Sequence, residues 1–468
     1  MAIGGDLSDD LIAGVLRCLP PRSLAVSRCV CRAWRDLVDA RRLLRADLLP
    51  RSVGGIFMNY LTFYFPEFFS RPTTGSSISG DLEFIPGFSK VVDHCNGLLL
   101  CTETTDDGHL YVTNPATRRW ARLPLWPTAW MREASNQIEC LVYDPTVSPH
   151  YEVLLIPSCF DQAKSMLDSE MMHSEWPPSS YTLQAFSSIT GCWEERSFVL
   201  EGGCREERLF LRQNVERNNT DTKVYWREAL YVLCENGFCL RISMPNTKYM
   251  LVQRPSHEYQ KNKRPSHVDF RYPGYLSLGR SEKGVYCAFQ YDWHGFQIFL
   301  LNESHGEVRW ELKHLVDLTS FAHKFHSLED NSQQYKGPWI LQDINYYKYP
   351  YYDNDEDEHK EVLEDNFEWN SDDDNVLNTE DMVEGRFERY TGLLGFHPYK
   401  EIVFLNAALS RAVAYHWNTS KFQDLGNIFP KDYLEVAGHC AAIDTSFIYT
   451  PCWMDDFPEN NLEPLIED

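Results

Sequence analysis

Basic residues are scarce in this chain: 44 lysines and arginines stand against 68 aspartates and glutamates in 468 residues, a formal net charge of −24. A field of that sign repels phosphate backbones and anionic lipid, so nucleic acid and membrane surfaces are not expected partners. The acidity is unevenly placed. Residues 1–50 hold eight arginines, from Arg17 to Arg45, against six aspartates, and the excess of carboxylates belongs to the chain beyond residue 50.

Other absences narrow the class further. No run approaches the roughly 18 apolar residues of a membrane span, and no charged–apolar–small signal segment opens the chain. The 14 cysteines include a CxC at Cys29 and Cys31 but no CxxC pair, so the paired short spacings that close a zinc tetrahedron are missing. Free thiols in cytoplasm or nucleus are therefore expected. The sequons at Asn218, Asn302 and Asn418 are then chance matches. A GxSxG elbow, an HExxH pair, a GxxxxGK[ST] phosphate loop and a GxGxxG after a strand are all lacking. Single histidines such as His94 and His439 read as structural. No cofactor, metal or catalytic residue is expected.

What is present is apolar and flat: 43% hydrophobic residues, with 13 Trp, 25 Tyr and 26 Phe. That content suits a β-rich globular interior, in a chain too long for one ordinary domain. The first forty residues differ. Ser8 can cap a helix whose first turn holds Asp9 and Asp10, with Leu7 and Ile12 as a staple. Leu11, Ile12, Val15, Leu16 and Leu19 recur at helical spacing until Pro20-Pro21 stops the helix. A second helix is expected from Ser23, carrying Leu24, Val30, Cys31, Trp34, Leu37 and Val38. Two helices of about 12 residues cannot bury that much apolar surface between themselves. Either the rest of the chain or a partner must cover it.

The residues that form this pattern, Leu7-Ser8-Asp9-Asp10-Leu11-Ile12, Val15-Leu16, Leu19-Pro20, Ser23-Leu24, Arg28, Val30-Cys31-Arg32, Trp34-Arg35 and Leu37-Val38, resemble an F-box in register and without gaps. Two positions depart from the family pattern: Ser8 replaces proline and Gly14 replaces glutamate. The resemblance implies a Skp-family adaptor as partner and, through it, a cullin. It also implies that Leu7, Leu11, Ile12, Val15, Leu16, Leu19, Pro20, Leu24, Val30 and Trp34 largely build the adaptor-facing surface and its support, with Trp34 free to pack inside. Arg41, Arg42 and Arg45 fall on a solvated helical extension.

From about Gly55 short apolar–aromatic runs alternate with turn residues. Five units share a strand, a Pro/Asn/Thr/Ser/Gly turn and an aromatic on the next strand: 111–120, 183–193, 240–249, 298–310 and 412–422. The aromatics fall at 120, 193, 249, 310 and 422, spaced by 73, 56, 61 and 112 residues. A period of 50–60 residues marks propeller blades, with a pair of β-sandwiches as the alternative reading. A sixth blade is expected from both ends of the β region: strand-like Gly55–Phe65 and a strand pair over Val436–Trp453. The stretches His94–Cys101 and Asn114–Pro124 resemble the opening of the F-box-associated domain of plant F-box proteins, and Asn96-Gly97 reads as a hairpin turn.

The expected fold is therefore α+β and multidomain: a helical F-box over 1–48, then an all-β domain over 49–468, a six-bladed propeller interrupted by an acidic insertion near 353–388. Solvated carboxylates, or a dock for a basic target, are the two readings of that insertion. Asp353, Asp355, Asp357 and Glu364 have calcium-loop spacing, but Glu358 occupies the position that needs glycine. The expected function is that of a substrate receptor in a cullin–RING ubiquitin ligase, with an unidentified target. A non-degradative F-box scaffold and a carbohydrate-binding or hydrolytic propeller are the alternatives. The last requires carboxylates converging in a central channel.

Overall fold

The computed structural model describes residues 8–19, 23–24, 27, 30–41, 43, 52–72, 78–103, 109–125, 137–157, 177–201, 223–234, 238–255, 275–292, 295–303, 308–318, 337–348, 391–407 and 410–453. Leu7, Pro20 and the acidic insertion lie outside them.

Helix α1 (Asp9–Arg17) starts at Ser8, but through the backbone: the Ser8 carbonyl accepts from Leu11 N–H at 2.9 Å and Ile12 N–H at 3.1 Å, and its side chain makes no cap bond. Helix α2 spans Arg32–Ala40. The single long second helix expected from Ser23 is broken, with Val30 in a turn and Cys31 outside helix. Gly14 is exposed in mid-helix, and nothing lies within 4 Å of where its Cβ would be. Gly14→Ala should therefore raise the stability of this small domain by about 0.5–1 kcal/mol, the ordinary helix-propensity gain, read as a shift in its thermal midpoint.

The remaining described residues form antiparallel meanders. One sheet is β3 (Phe88–Cys95), β4 (Leu98–Glu103), β5 (Leu110–Asn114) and β6 (Arg119–Arg122). Then come β7 (Gln137–Tyr143), β8 (Tyr151–Pro157), β9 (Ser180–Ser187) and β10 (Cys192–Leu200), followed by β11 (Lys223–Trp226), β12 (Ala229–Leu233), β13 (Phe238–Ser243) and β14 (Lys248–Gln253). These two meanders form one eight-stranded sheet, because Val199 and Leu200 of β10 pair in parallel with Lys248 and Tyr249 of β14. Two four-stranded sheets come next: β15 (Tyr275–Ser281) to β18 (Arg309–Asp317), through β16 (Gly284–Asp292) and β17 (Gly295–Asn302), and β20 (Thr391–Phe396) to β23 (Lys421–Asn427), through β21 (Ile402–Ala407) and β22 (Arg411–His416). The five turn-and-aromatic units of the sequence are the third and fourth strands of these meanders.

The last sheet is assembled from both ends of the β region. Its order is β19 (Ile340–Leu341), β2 (Glu67–Ser70), β1 (Gly55–Tyr60) and β24 (Ile443–Tyr449). Residues 436–440, expected as strand, are instead the end of helix α4 (Tyr433–Ala437) and a 3-10 turn over Gly438–Cys440. Tyr433 and Ala437, one turn apart, are its buried side chains, and that spacing needs a helix.

Among the described residues the innermost strands touch in a closed circuit: β3 to β7, β11, β15, β20, β24 and back to β3. Among the described residues six apolar cores lie between neighbouring sheets or meanders. Phe57, Phe68, Val91 and Tyr111 fill one of them, beside the closing sheet. On its other side Ile56, Phe69, Trp339 and Phe404 fill another. This is a propeller-like, mostly β architecture. It positions short turns at one end: Gly97 has φ +91°, and a Cβ there would meet Cys452 Cβ and the Thr450 carbonyl at 2.5 Å, so the expected Asn96-Gly97 turn is held to glycine.

At the other end Glu67 latches the closing sheet. Its carboxylate is buried and accepts from Ile344 N–H (2.6 Å), Asn345 N–H (3.0 Å) and Asn345 Nδ2 (2.8 Å), at the start of helix α3 (Ile344–Lys348). Burial outweighs those donors and lifts its pKa to about 7, from an ordinary 4.5. The folded state thus keeps a proton that the unfolded chain releases. Its contribution is complete below pH 4.5 and is lost as pH rises through 7. In denaturant titrations the stability of wild type relative to Glu67→Gln should fall by up to about 3 kcal/mol between pH 4.5 and 7.5. A pH-independent difference would remove Glu67 as the titrating group.

Candidate functional site

The N-terminal helices have a core of their own. Ala13, Leu16, Leu24, Val38 and Leu43 are buried together, with Ile12, Leu19, Trp34 and Leu37 packed against them. Helix geometry divides the sequence-predicted residues into two sets. Leu16 (1% exposed) and Leu24 (0%) face inward, while Leu11 (60%), Val15 (66%) and Val30 (63%) face solvent. Ile12, Leu19 and Trp34 are intermediate. Leu11 and Val15 are one turn apart, so they share a face that the domain leaves uncovered. The apolar surface that the sequence could not bury is therefore partly an internal core and partly an exposed ridge. Asp10 and Arg41 join α1 to the end of α2 at 2.7 Å, an exposed pair that contributes little energy.

A second convergence of ionisable groups lies among the innermost strands. Lys223 Nζ donates to the Val92 carbonyl at 2.9 Å and to the Glu139 carbonyl, and lies 3.9 Å from Asp93 Oδ2. The same Asp93 oxygen accepts from Leu141 N–H at 2.6 Å. Burial raises the Asp93 pKa to about 6, against the pull of Lys223, and drives that of His94 to about 3. Arg280 Nη2 donates to Asn96 Oδ1, and Asn96 Nδ2 to the Tyr143 carbonyl at 2.6 Å. These bonds use the polar atoms to tie β3, β7, β11 and β15 together. Asp93 is buried with its partners inside the protein, so the cluster is built as an internal stitch rather than a carboxylate pair open to a sugar.

The family model for the F-box domain matches residues 5–46, so the ridge belongs to an F-box. The chain is 30% identical over 130 residues to F-box protein ETP2 of Arabidopsis thaliana, covering 25% of this chain and 34% of that protein. It is 25% identical over 203 residues to F-box protein At5g07610 of Arabidopsis thaliana, covering 40% of this chain and 44% of the relative. The matched part is thus a third to under a half of these relatives' length. Among solved structures, YCF48 from Cyanidioschyzon merolae aligns over 80% of this chain and 86% of its own, at 8% identity and a TM-score of 0.33, a likeness too loose to carry an argument. The chain carries an F-box domain over residues 5–46 and is similar, over part of its length, to F-box proteins of Arabidopsis thaliana.

Proposed function

We propose that this protein is the substrate-receptor subunit of an SCF-type cullin–RING ubiquitin ligase, with the F-box ridge on a Skp-family adaptor and the β-domain, read as six blades, holding a target protein. The observation that carries the proposal is the exposure of Leu11, Val15 and Val30 on a domain whose own core is already filled by Leu16, Leu24 and Val38. Large apolar side chains left exposed on so small a module, two of them one turn apart on α1, are suited to anchor a partner helix. In this reading Leu11, Val15 and Val30 make contact, Ile12, Leu19 and Trp34 line the edge, and Leu16 and Leu24 act as support. Leu7 and Pro20 extend the same motif.

The chain contributes proximity rather than chemistry. Holding a target lysine near the charged conjugating enzyme raises its effective concentration, and no acid, base or nucleophile is required from the receptor. The setting is cytoplasm or nucleus, where free cysteines persist. The test is co-purification with a Skp-type adaptor, comparing wild type with variants of the exposed ridge. Recovery of the adaptor by wild type and its loss from the ridge variants supports the proposal, and equal recovery overturns it.

A further inference from the structure

The closing sheet has two unlike ends. At one, the chain arriving from the F-box joins β1: Gly54 N–H donates to the Tyr449 carbonyl at 2.8 Å, and Gly55 pairs with Tyr449. At the other, β1 ends at Tyr60 opposite Ile443. A strand of six residues separates them by about 20 Å. Three segments distant in sequence meet at this second end. Tyr433 Oη, with one proton to donate, lies 2.9 Å from the Leu61 carbonyl and 3.0 Å from the Ala442 carbonyl, and accepts from Ala442 N–H at 3.1 Å. Phe65 N–H donates to Asn345 Oδ1 at 3.1 Å, and Lys431 N–H to Asp343 Oδ1 at 2.9 Å. Residues 61–65, 343–348 and 431–434 are thereby fixed as one platform.

That platform leaves apolar side chains in water. Tyr64 (59%), Tyr347 (55%) and Leu434 (59%) are exposed, and Leu61 is exposed to a lesser degree. Its own cations are engaged on neighbouring rings: the exposed Lys431 donates from Nζ to the Tyr346 hydroxyl at 2.7 Å and lies 4.1 Å from that ring's centre, and Lys348 Nζ lies 4.2 Å from the Phe65 ring centre. The exposed carboxylates flanking Leu434 are Asp432 and Glu435, two against the one ring-bound Lys431. Five residues beyond Lys348 the sequence enters its carboxylate-rich stretch at Asp353.

We propose that this platform docks a segment of the target protein bearing a leucine or aromatic side chain between basic residues. The apolar part would seat on Tyr64, Tyr347 and Leu434, and the flanking cations face Asp432 and Glu435. A second copy of this chain is disfavoured, since each copy carries −24. The biological role, though not the binding itself, rests on the receptor reading.

The experiment uses the full chain bound to its adaptor and a displayed library of random 12-residue peptides. The expected result is enrichment of peptides with an aromatic or aliphatic residue flanked by lysine or arginine. Their affinity should drop at least tenfold on the double variant Tyr64→Ser/Leu434→Ser, whose unfolding midpoint stays that of wild type because both side chains are exposed. The ridge variant Val15→Asp, free of adaptor, should bind the peptides as wild type does, which separates this proposal from the adaptor reading. Selection of acid-flanked peptides, no enrichment, or equal affinity for the double variant would each overturn it. So would a dimer in sedimentation that Leu434→Ser dissolves.

Discussion

Replacing Leu11 and Val15 together by aspartate should abolish recovery of a Skp-type adaptor, at least a 100-fold loss of affinity, while the unfolding midpoint of the protein stays near that of wild type. The size comes from the role assigned to the two side chains. A loss of 100-fold corresponds to about 2.7 kcal/mol, within reach of two desolvated apolar anchors replaced by charges that a partner must strip of water. The unchanged midpoint reflects their exposure of 60% and 66%, since neither leaves a cavity in the folded chain. Leu16→Asp makes the contrast. One position further along the helix, it is 1% exposed and sits against Leu24 and Val38, so an aspartate there buries an unpaired carboxylate. It should also lose the adaptor, but by collapse of the helical domain, with a loss of helical circular dichroism that the double variant does not show. Adaptor binding by the Leu11/Val15 variant at wild-type strength would leave the exposed ridge without its function.

The comparison of Val15 with Leu16 shows where the sequence stops being informative. Periodicity identifies an apolar stripe, but it does not say which edge of the stripe is covered by the neighbouring helix. That depends on how Leu24 and Val38 come to rest, and the break at Val30–Cys31 carries no proline or glycine to announce it. Four of the five blade hairpins, those whose turns are described, were legible because each turn segment is rich in Gly, Pro, Asn, Ser or Thr, although the residue at positive φ is not always one of these. Arg118, Thr247 and Ser420 all have φ between 48° and 57°, and Gly191 +67°, each at the predicted turn. The closing sheet was only half legible. Strand β19 is two residues long, and its neighbour β2 is about 270 positions away in sequence, so no local pattern marks it. The apolar platform beside it was invisible for the same reason, since it exists only once residues 61–65, 343–348 and 431–434 are brought together.

The same long-range closure sets the largest stability effect in the molecule. A chain ending at residue 442, which lacks β24, should fail to give soluble folded protein. Strand β24 pairs with β1 from Tyr449 at Gly55 to Ile443 at Tyr60, and stands between β20 and β3 in the inner circuit. Its loss would empty two cores at once. Phe447 and Tyr449 belong to one, with Phe447 against the His94 ring at 5.6 Å, and Ile448 belongs to the other. Three large buried side chains at about 1.5–3 kcal/mol each amount to a large share of the 5–15 kcal/mol that a folded domain has in total. Polar contacts are lost as well: Asn59 Nδ2 loses Thr445 Oγ1 at 2.6 Å, and Asn114 Nδ2 loses the Cys452 carbonyl at 2.9 Å. Phe447→Ala, a milder form of the same lesion, should cost about 3–5 kcal/mol by denaturant titration. A synthetic strand covering residues 441–453, added during refolding of the shortened chain, should restore near-ultraviolet circular dichroism, because the exposed edge of β1 is a template for that strand alone in register. Folding of the shortened chain to wild-type stability without the added strand would show that the circuit is not closed through β24.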